Sequence, residues 1–270
     1  MAESKPTILI TFDVEEFDMP LEYGQQVSEA EQMQVGYQGL ETIVNIWNSF
    51  SIKGTFFTTA NFANNYPAAI RSLAANNEIA SHTFYHSHFK NEDLLQSKLV
   101  LENITGTKVR GLRMPRLRPV EMMEVKKAGY GYDSSINPTW IPGRYNNFHL
   151  PRHPYVQEDV LRFPASVSPL FRIPLFWLSF KNMPYAFFLQ LVKQSLAKDG
   201  HVCLYFHPWE FIDLDKYAIP RYAKRYAGKQ LQKRLIQLIN DLSHLGPFSS
   251  MEQYIRQHYE NKKVLAGGDW

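Results

Sequence analysis

Short apolar runs that alternate with longer segments of helical periodicity constrain the fold of this chain more than any other feature. Thr7–Val14 has the composition of a buried strand, and Val35–Phe50 follows it with apolar residues at helical spacing. The same order begins again at the apolar run Gly54–Ala60 and ends with the strand His201–Phe206 and the helix Lys229–Leu245. A repeated strand-then-helix order is typical of parallel strands in one sheet or barrel, with helices outside. The sequence therefore predicts an α/β fold.

The length of the chain fits one large domain. It has 270 residues, which is long for a domain but usual for a single α/β barrel. The stretch from Ile136 to Pro169 is rich in proline and lacks periodicity, so we predict long loops around 136–169. No internal repeat or linker-like segment divides the sequence. We therefore expect a single domain over residues 1–270.

Charge and cysteine content limit the partners of the chain. The net charge of +3 is small, and no known nucleic-acid-binding motif is present, so we expect no nucleic-acid partner. Cys203 is the single cysteine, which leaves no disulfide within the chain. The sequence does not determine the oligomeric state.

No segment has the features of a signal peptide or a transmembrane helix. The apolar run that begins at Thr7 is short for a signal sequence, and charges and prolines interrupt Leu170–Val192. We therefore predict a cytoplasmic protein without a transmembrane segment. The phenylalanine-rich stretch Leu170–Phe188 and the basic run Arg221–Arg234 leave a peripheral membrane contact open. A loop that covers the barrel and a solvated helix face are the simpler explanations of these two segments.

Two histidines four positions apart follow the third predicted strand. In a helical turn, the spacing of His82 and His86 places both imidazoles on one face, which is how histidine pairs bind one divalent ion. Histidines that only cap a helix or form hydrogen bonds have the same spacing, and spacing alone does not separate these alternatives. His88 is expected to be a supporting or surface residue.

Carboxylates end the first predicted strand. Asp13 and Glu15 alternate onto the same face of an extended chain, so they can share one site, one binding a metal and the other accepting a proton from water. The alternative is that these acids simply lie in the loop after the strand, which is the role we expect for Glu16 and Asp18.

Three further strand ends carry polar side chains. His207 ends the strand His201–Phe206 and is a candidate general acid or base, although a buried histidine of the core is the alternative. Arg113 could hold a nearby carboxylate ionised, and Asp133 could orient an imidazole. Because the carboxyl ends of parallel strands meet at one face, we expect these residues to lie near one another.

Taken together, these blocks resemble the polysaccharide deacetylase family, which shares the NodB homology domain and is also known as the carbohydrate esterase family 4. The resemblance covers nearly the whole chain, from about Thr7 to about Tyr254. In chain order, the blocks are Thr11-Phe-Asp13-Val-Glu15, Ser81-His82-Thr-Phe-Tyr-His86-Ser87, Arg113-Met-Pro115, Asp133 to Trp140, and Tyr205-Phe-His207-Pro-Trp. Each block is weak alone, but five in the same order are a specific signal.

The resemblance implies a distorted (β/α)7 barrel and a metal-dependent hydrolase that removes N-acetyl groups from an amino sugar, a polysaccharide or its precursor. It implies that Asp13 is the general base, that Arg113 orients it, and that His207 is the general acid with Asp133 behind it. The implied metal ligands are His82, His86 and Glu15. The implied metal is zinc, with cobalt or nickel as alternatives. The resemblance assigns substrate contacts to Trp140, Arg116 and Pro115.

The sequence departs from the family pattern at two positions of the site. Most members have two adjacent aspartates, the second of which binds the metal, but here Val14 follows Asp13. Glu15 is our candidate for the missing ligand. Arg116 stands where many members have an aromatic residue, which suggests an anionic substrate or a differently shaped groove.

Two other functions remain open. An allantoinase-like amidohydrolase would keep the fold and act on a small amide that is not a sugar, and a chelator should not inactivate it as it would a deacetylase. A non-catalytic, carbohydrate-binding relative would keep the barrel without the chemistry. The joint presence of Asp13, Arg113, Asp133 and His207 argues against this last alternative.

Overall fold

Within residues 6–259, which the computed structural model of this protein describes, eight strands form one curled sheet. The strands of this part of the chain are β1 (Thr7–Val14), β2 (Thr55–Thr58), β3 (Glu78–Ser81), β4 (Gly111–Leu112), β5 (Tyr132–Asp133), β6 (Trp140–Ile141), β7 (Tyr145–Asn146), β8 (Tyr155–Gln157), β9 (Val160–Arg162) and β10 (His201–Phe206). The helices are α1 (Glu29–Phe50), α2 (Ala60–Asn65), α3 (Pro67–Ala74), α4 (Glu92–Thr105), α5 (Met122–Lys127), α6 (Trp177–Asn182), α7 (Tyr185–Asp199), α8 (Arg221–Lys224), α9 (Lys229–Ser243) and α10 (Met251–His258). Three short 3-10 helices span Met19–Tyr23, Pro115–Leu117 and Pro208–Phe211.

No helix in this range is long and apolar enough to cross a membrane. The two ends of the predicted 1–270 domain, residues 1–5 and 260–270, lie outside the described residues.

The sheet curls into a barrel of parallel strands. Its order is β10-β1-β2-β3-β4-β5-β9-β8, and only β8 runs antiparallel to its neighbour. The ends of the curled sheet approach each other where the chain after β9 meets β10. The Ser166 amide donates to the Cys203 carbonyl oxygen (2.9 Å), and the Ser166 hydroxyl oxygen accepts from the Cys203 amide (2.8 Å). Seven parallel strands closed in this way form the predicted distorted (β/α)7 barrel.

Strand β1 is buried on both faces, because its side chains alternate between the barrel interior and the surrounding helices. Leu9 packs inside the barrel, together with Met251 and Tyr254 of α10, whereas Ile10 packs against the outer layer. Asp13 lies an even number of positions after Leu9, so its side chain points to the same face of the strand. The strand therefore carries the Asp13 carboxylate to the inner face of the barrel, near the carboxyl ends of the strands.

Helix α1 lies in direct contact with the backbone of two loops at this end of the barrel. A Cβ atom at Gly36 would lie 2.5 Å from the carbonyl oxygen of Glu15, and one at Gly39 would lie 2.4 Å from the carbonyl carbon of Pro208. Such distances leave no room for a side chain, so only glycine permits this approach.

The structure corrects the predicted elements in two places. Helix α1 begins at Glu29 rather than at Val35, because the Ser28 hydroxyl oxygen accepts from the Glu31 amide and caps an earlier turn. The stretch 136–169 consists mainly of loops, as expected, but it also contains the strands β6 to β9. β9 belongs to the barrel, and its three residues are too short to show a periodic pattern.

Candidate active site

A cleft opens at the carboxyl ends of the parallel strands. It encloses about 630 Å³ of space when its open mouth is included. Acidic residues at and after the end of β1 meet residues from the loops after β3, β4 and β10 there. Its wall includes Asp13, Glu15, Asp18, His86, Arg116, Tyr145, Phe176, Trp177, Tyr205, His207 and Trp209. Most of the predicted polar residues therefore lie in one place.

Glu15, His82 and His86 form a tight, buried cluster. The Oε2 atom of Glu15 lies 3.0 Å from Nε2 of His82 and 3.2 Å from Nε2 of His86. The other carboxylate oxygen, Oε1, accepts a hydrogen bond from the indole Nε1 of Trp209 (3.1 Å). These are the three residues that the sequence suggested as metal ligands, and their ligand atoms all lie within 4.8 Å of one another.

The second nitrogen of each imidazole is already engaged. Nδ1 of His82 lies 2.8 Å from the carbonyl oxygen of Arg113, and Nδ1 of His86 lies 2.7 Å from Oδ1 of Asp18. Both partners can only accept, so each Nδ1 carries a proton and donates it. In the neutral imidazoles, Nε2 therefore presents a lone pair toward the Glu15 carboxylate. Three electron-pair donors that converge on one point, with their outer hydrogen bonds satisfied, fit a divalent metal ion.

Electrostatics in the cluster also favour a cation. Burial lowers the pKa of His86, but the Glu15 and Asp18 carboxylates outweigh this effect and raise it to about 9. Burial raises the pKa of Glu15, but His86, His207 and His82 hold it well below its usual range. Without a metal, a proton on the imidazole thus supplies the positive charge that this site requires.

Asp13 is paired with a buried arginine, Arg113, rather than with the two histidines. Nη1 of Arg113 donates to Oδ1 of Asp13 (2.7 Å), and both side chains are almost fully buried. The guanidinium also contacts Thr11 and Ser134, and it stacks on the ring of Phe57 at 4.0 Å. Arg113 therefore holds the Asp13 carboxylate in one orientation and balances its charge.

His207 lies beside Asp13, with 3.9 Å between Nε2 of His207 and Oδ2 of Asp13. Its Nδ1 lies 3.0 Å from Oε1 of Glu210, and its amide donates to the same oxygen (2.7 Å). Oε2 of Glu210 pairs with Nζ of Lys181 (2.7 Å), and neither of these two side chains is exposed. A buried carboxylate three residues after His207 thus fixes the imidazole, and a buried ammonium balances that carboxylate.

The expectation that Asp133 lies behind His207 is therefore wrong. Asp133 accepts hydrogen bonds from the hydroxyl and the amide of Ser135 and pairs with Nε of Arg162 (3.0 Å). Its carboxylate ties the end of β5 to β9. The position behind His207 is taken by Glu210, which the 3-10 helix Pro208–Phe211 brings back toward the imidazole.

Two of the three predicted substrate contacts lie outside the cleft wall, and their roles stay predictions. Trp140 is exposed on β6, outside the cleft wall, whereas Tyr145 of the paired strand β7 lines the cleft. Pro115 is buried and begins a 3-10 helix, so its contribution is to the shape of the loop.

Arg116 does line the cleft, but two acids bind it. Nη2 of Arg116 lies 3.1 Å from Oδ2 of Asp18 and 2.7 Å from Oε1 of Glu22. Since Asp18 also accepts from His86, Arg116 acts through Asp18 on the imidazole and is not free for an anionic substrate.

Sequence reasoning missed three residues of this site: Asp18, Glu210 and Lys181. Asp18 was assigned to the loop because its partner His86 lies 68 positions away. Glu210 had a local signal, since it follows His207 by one turn. Lys181 had none, because its charge is paired only through the packing of α6 against the loop after β10.

Comparisons with known proteins agree with this architecture. The family model for polysaccharide deacetylase matches residues 2–132, which include Asp13, Glu15, His82, His86 and Arg113. No curated protein matches the chain significantly in sequence.

Three solved structures with the same fold differ in what they are described to do. A candidate polysaccharide deacetylase from Mycobacterium smegmatis is 19% identical, with a TM-score of 0.68 over 100% of this chain and 97% of that one. Puue allantoinase is 14% identical, with a TM-score of 0.62 over 96% and 92%. A CE4 family pseudoenzyme from Bacillus anthracis is 13% identical, with a TM-score of 0.51 over 94% and 66%. At these identities the likeness supports the fold alone, so the side chains of the site must carry the functional argument.

Proposed function

We propose that this chain, of which residues 2–132 match the family model for polysaccharide deacetylase, is a metal-dependent hydrolase that removes N-acetyl groups from an amino sugar, within a polysaccharide or its precursor. The observation that supports the metal best is the convergence of Glu15, His82 and His86, whose outer nitrogens are already hydrogen bonded. Zinc is the proposed ion, with cobalt and nickel as alternatives, because two imidazoles and one carboxylate are its usual ligands in hydrolases.

A divalent metal bound there would supply a Lewis acid for the amide carbonyl and lower the pKa of water. The chain supplies the proton transfers. Asp13, kept ionised and oriented by Arg113, accepts a proton from the attacking water. His207 donates a proton to the departing amine, and the carboxylate of Glu210 holds its ring in place through Nδ1.

The surroundings of His207 suit a proton donor. Burial lowers the pKa of its imidazole, but the carboxylates of Glu15, Glu210 and Asp13 outweigh burial and raise it. The rings of Trp177 and Trp209 pack against the imidazole and restrict the access of water. The imidazole is thus protonated more readily than a free histidine, and it is held at the cleft.

Metal content is the first test. We expect about one zinc, cobalt or nickel ion per wild-type chain by elemental analysis, and loss of that ion in the His82→Ala/His86→Ala variant. Wild-type protein should release acetate from N-acetylglucosamine oligomers and lose this activity with a chelator. A wild-type chain that binds no metal after reloading would refute the proposal in favour of a metal-independent amidohydrolase or a non-catalytic protein.

A further inference from the structure

The three most exposed large apolar side chains of the described residues, Leu170, Phe171 and Trp140, belong to segments that also contribute residues to the wall of the cleft. Leu170 and Phe171, 77% and 72% exposed, occupy the tip of a loop whose base is joined by a bridge between Val167 and Pro174. Turn tips usually carry polar residues, so two adjacent apolar side chains here call for an explanation.

Two further exposed rings belong to the same region. Phe148 lies under the guanidinium of Arg172, 5.0 Å from the centre of its ring, and Arg172 also donates to the carbonyl oxygen of Leu150. Trp140 follows Thr139, whose hydroxyl donates to the carbonyl oxygen of Arg172. We call Trp140, Phe148, Leu170 and Phe171 the apolar rim.

Topology places the apolar rim on the face where the cleft opens. The rim residues belong to segments that leave the carboxyl ends of β5 and β9, and Tyr145 and Phe176 of these segments line the cleft itself. A ligand surface that contacts the rim therefore also faces the cleft.

The segments that carry the rim have a positive formal charge. The segments 134–157 and 160–198 contain no aspartate or glutamate, although they contain several arginines and lysines. Arg144, in the turn between β6 and β7, lines the mouth of the cleft, and no carboxylate of residues 6–259 pairs with it. Arg152, Arg162 and Lys181 of these segments are paired with carboxylates, but Arg144 and Arg172 have no carboxylate partner within residues 6–259. Exposed apolar rings beside these two guanidinium groups are complementary to a lipid surface that carries negative charge.

We propose that the apolar rim docks this protein on the surface of an anionic phospholipid bilayer, with the cleft facing the lipid headgroups. Leu170 and Phe171 enter the interfacial region as separate projections, and the neighbouring cations contact the phosphates. This inference does not depend on the proposed deacetylation, because binding is measured without turnover.

Vesicle cosedimentation of the full chain tests the proposal. We expect wild-type protein to sediment with vesicles of phosphatidylcholine and phosphatidylglycerol, less with phosphatidylcholine alone, and less as salt is raised. The Leu170→Ser/Phe171→Ser variant should lose about tenfold or more in vesicle affinity. Serine side chains do not gain the free energy that leucine and phenylalanine gain when they move from water into the lipid interface.

A matched control comes from α4. Leu95 and Leu99 are also exposed, 47% and 54%, but they lie on the flank of the barrel. The Leu95→Ser/Leu99→Ser variant should bind vesicles as the wild type does, and both variants should keep the wild-type melting temperature. Absence of vesicle binding by the wild type, or equal binding by all three proteins, overturns the proposal. Self-association that the rim variant abolishes, without vesicle binding, also overturns it and makes the rim a contact between copies of the chain.

Discussion

At the scale of single residues, Asp13 and Glu15 have similar side chains, two positions apart, in different surroundings. Asp13 meets one fixed guanidinium, which leaves its second oxygen directed toward His207. Glu15 meets two imidazoles and an indole N–H. The neighbours thus separate a proposed proton acceptor from a proposed metal ligand, whereas the sequence indicated only that the two acids share a face.

Replacing the proposed base should separate chemistry from metal binding. We expect Asp13→Asn to lower kcat by at least about 10²-fold, because the amide cannot accept the proton, while the metal content stays at the wild-type value. Acetate release and elemental analysis on the same preparation measure both quantities. Turnover close to that of the wild type would exclude Asp13 as the base.

At the scale of elements, the predictions were best where a segment is long or regular. The predicted bounds of β1 and β10 match those observed, since each is a continuous apolar run with a clear boundary. The packing of α6 against the loop after β10, which pairs Lys181 with Glu210, depends on tertiary contacts and gave no local signal.

The pairing of Lys181 with Glu210 should appear in a double-mutant cycle. Lys181→Met leaves a buried carboxylate without its ammonium, so we expect it to lower the free energy of unfolding by about 3–5 kcal/mol. Lys181→Met/Glu210→Gln should recover part of this loss, because the second substitution removes the unpaired charge. Urea denaturation measures the cycle, and Lys127→Met, at an exposed site, serves as the control. Strictly additive effects would show that the two residues do not interact.

At the scale of the whole molecule, the order of strands and helices was enough to predict the barrel. The blocks around Asp13, His86 and His207 supply residues to the cleft, whereas Asp133 and Trp140 do not line it. The sequence was not enough to assign partners across the barrel. Asp133 was assigned to His207 but contacts Arg162, because β9, hidden in a stretch without periodicity, passes beside β5. The cytoplasmic location stays a prediction.

Global stability should depend on pH through His201, at the start of β10. Burial is the main cause that lowers the pKa of His201 from its usual 6.5 to about 4. Below pH 6.5 the unfolded chain takes up a proton that the folded chain does not, so stability falls until about pH 4, by about 3 kcal/mol in total. We expect His201→Gln to remove this part of the pH dependence, measured by urea denaturation between pH 4 and 8. His149→Gln, at an exposed position, should leave it unchanged, and identical profiles for wild type and His201→Gln would contradict the assignment.

Helix α1 does not line the cleft, but Gly36 and Gly39 bring it into contact with two loops that do. Gly36 touches the carbonyl group of Glu15, and Gly39 touches the peptide that leads to Trp209, whose indole holds the Glu15 carboxylate. Because α1 has no side chain at these two positions, the loops that follow β1 and β10 can pack directly against its backbone. A methyl group added at Gly36 would displace the backbone of a proposed ligand, and one added at Gly39 would displace the loop that directly follows the proposed acid. Mutational tolerance on this chain should therefore be judged by contact with these loops rather than by nearness to the cleft.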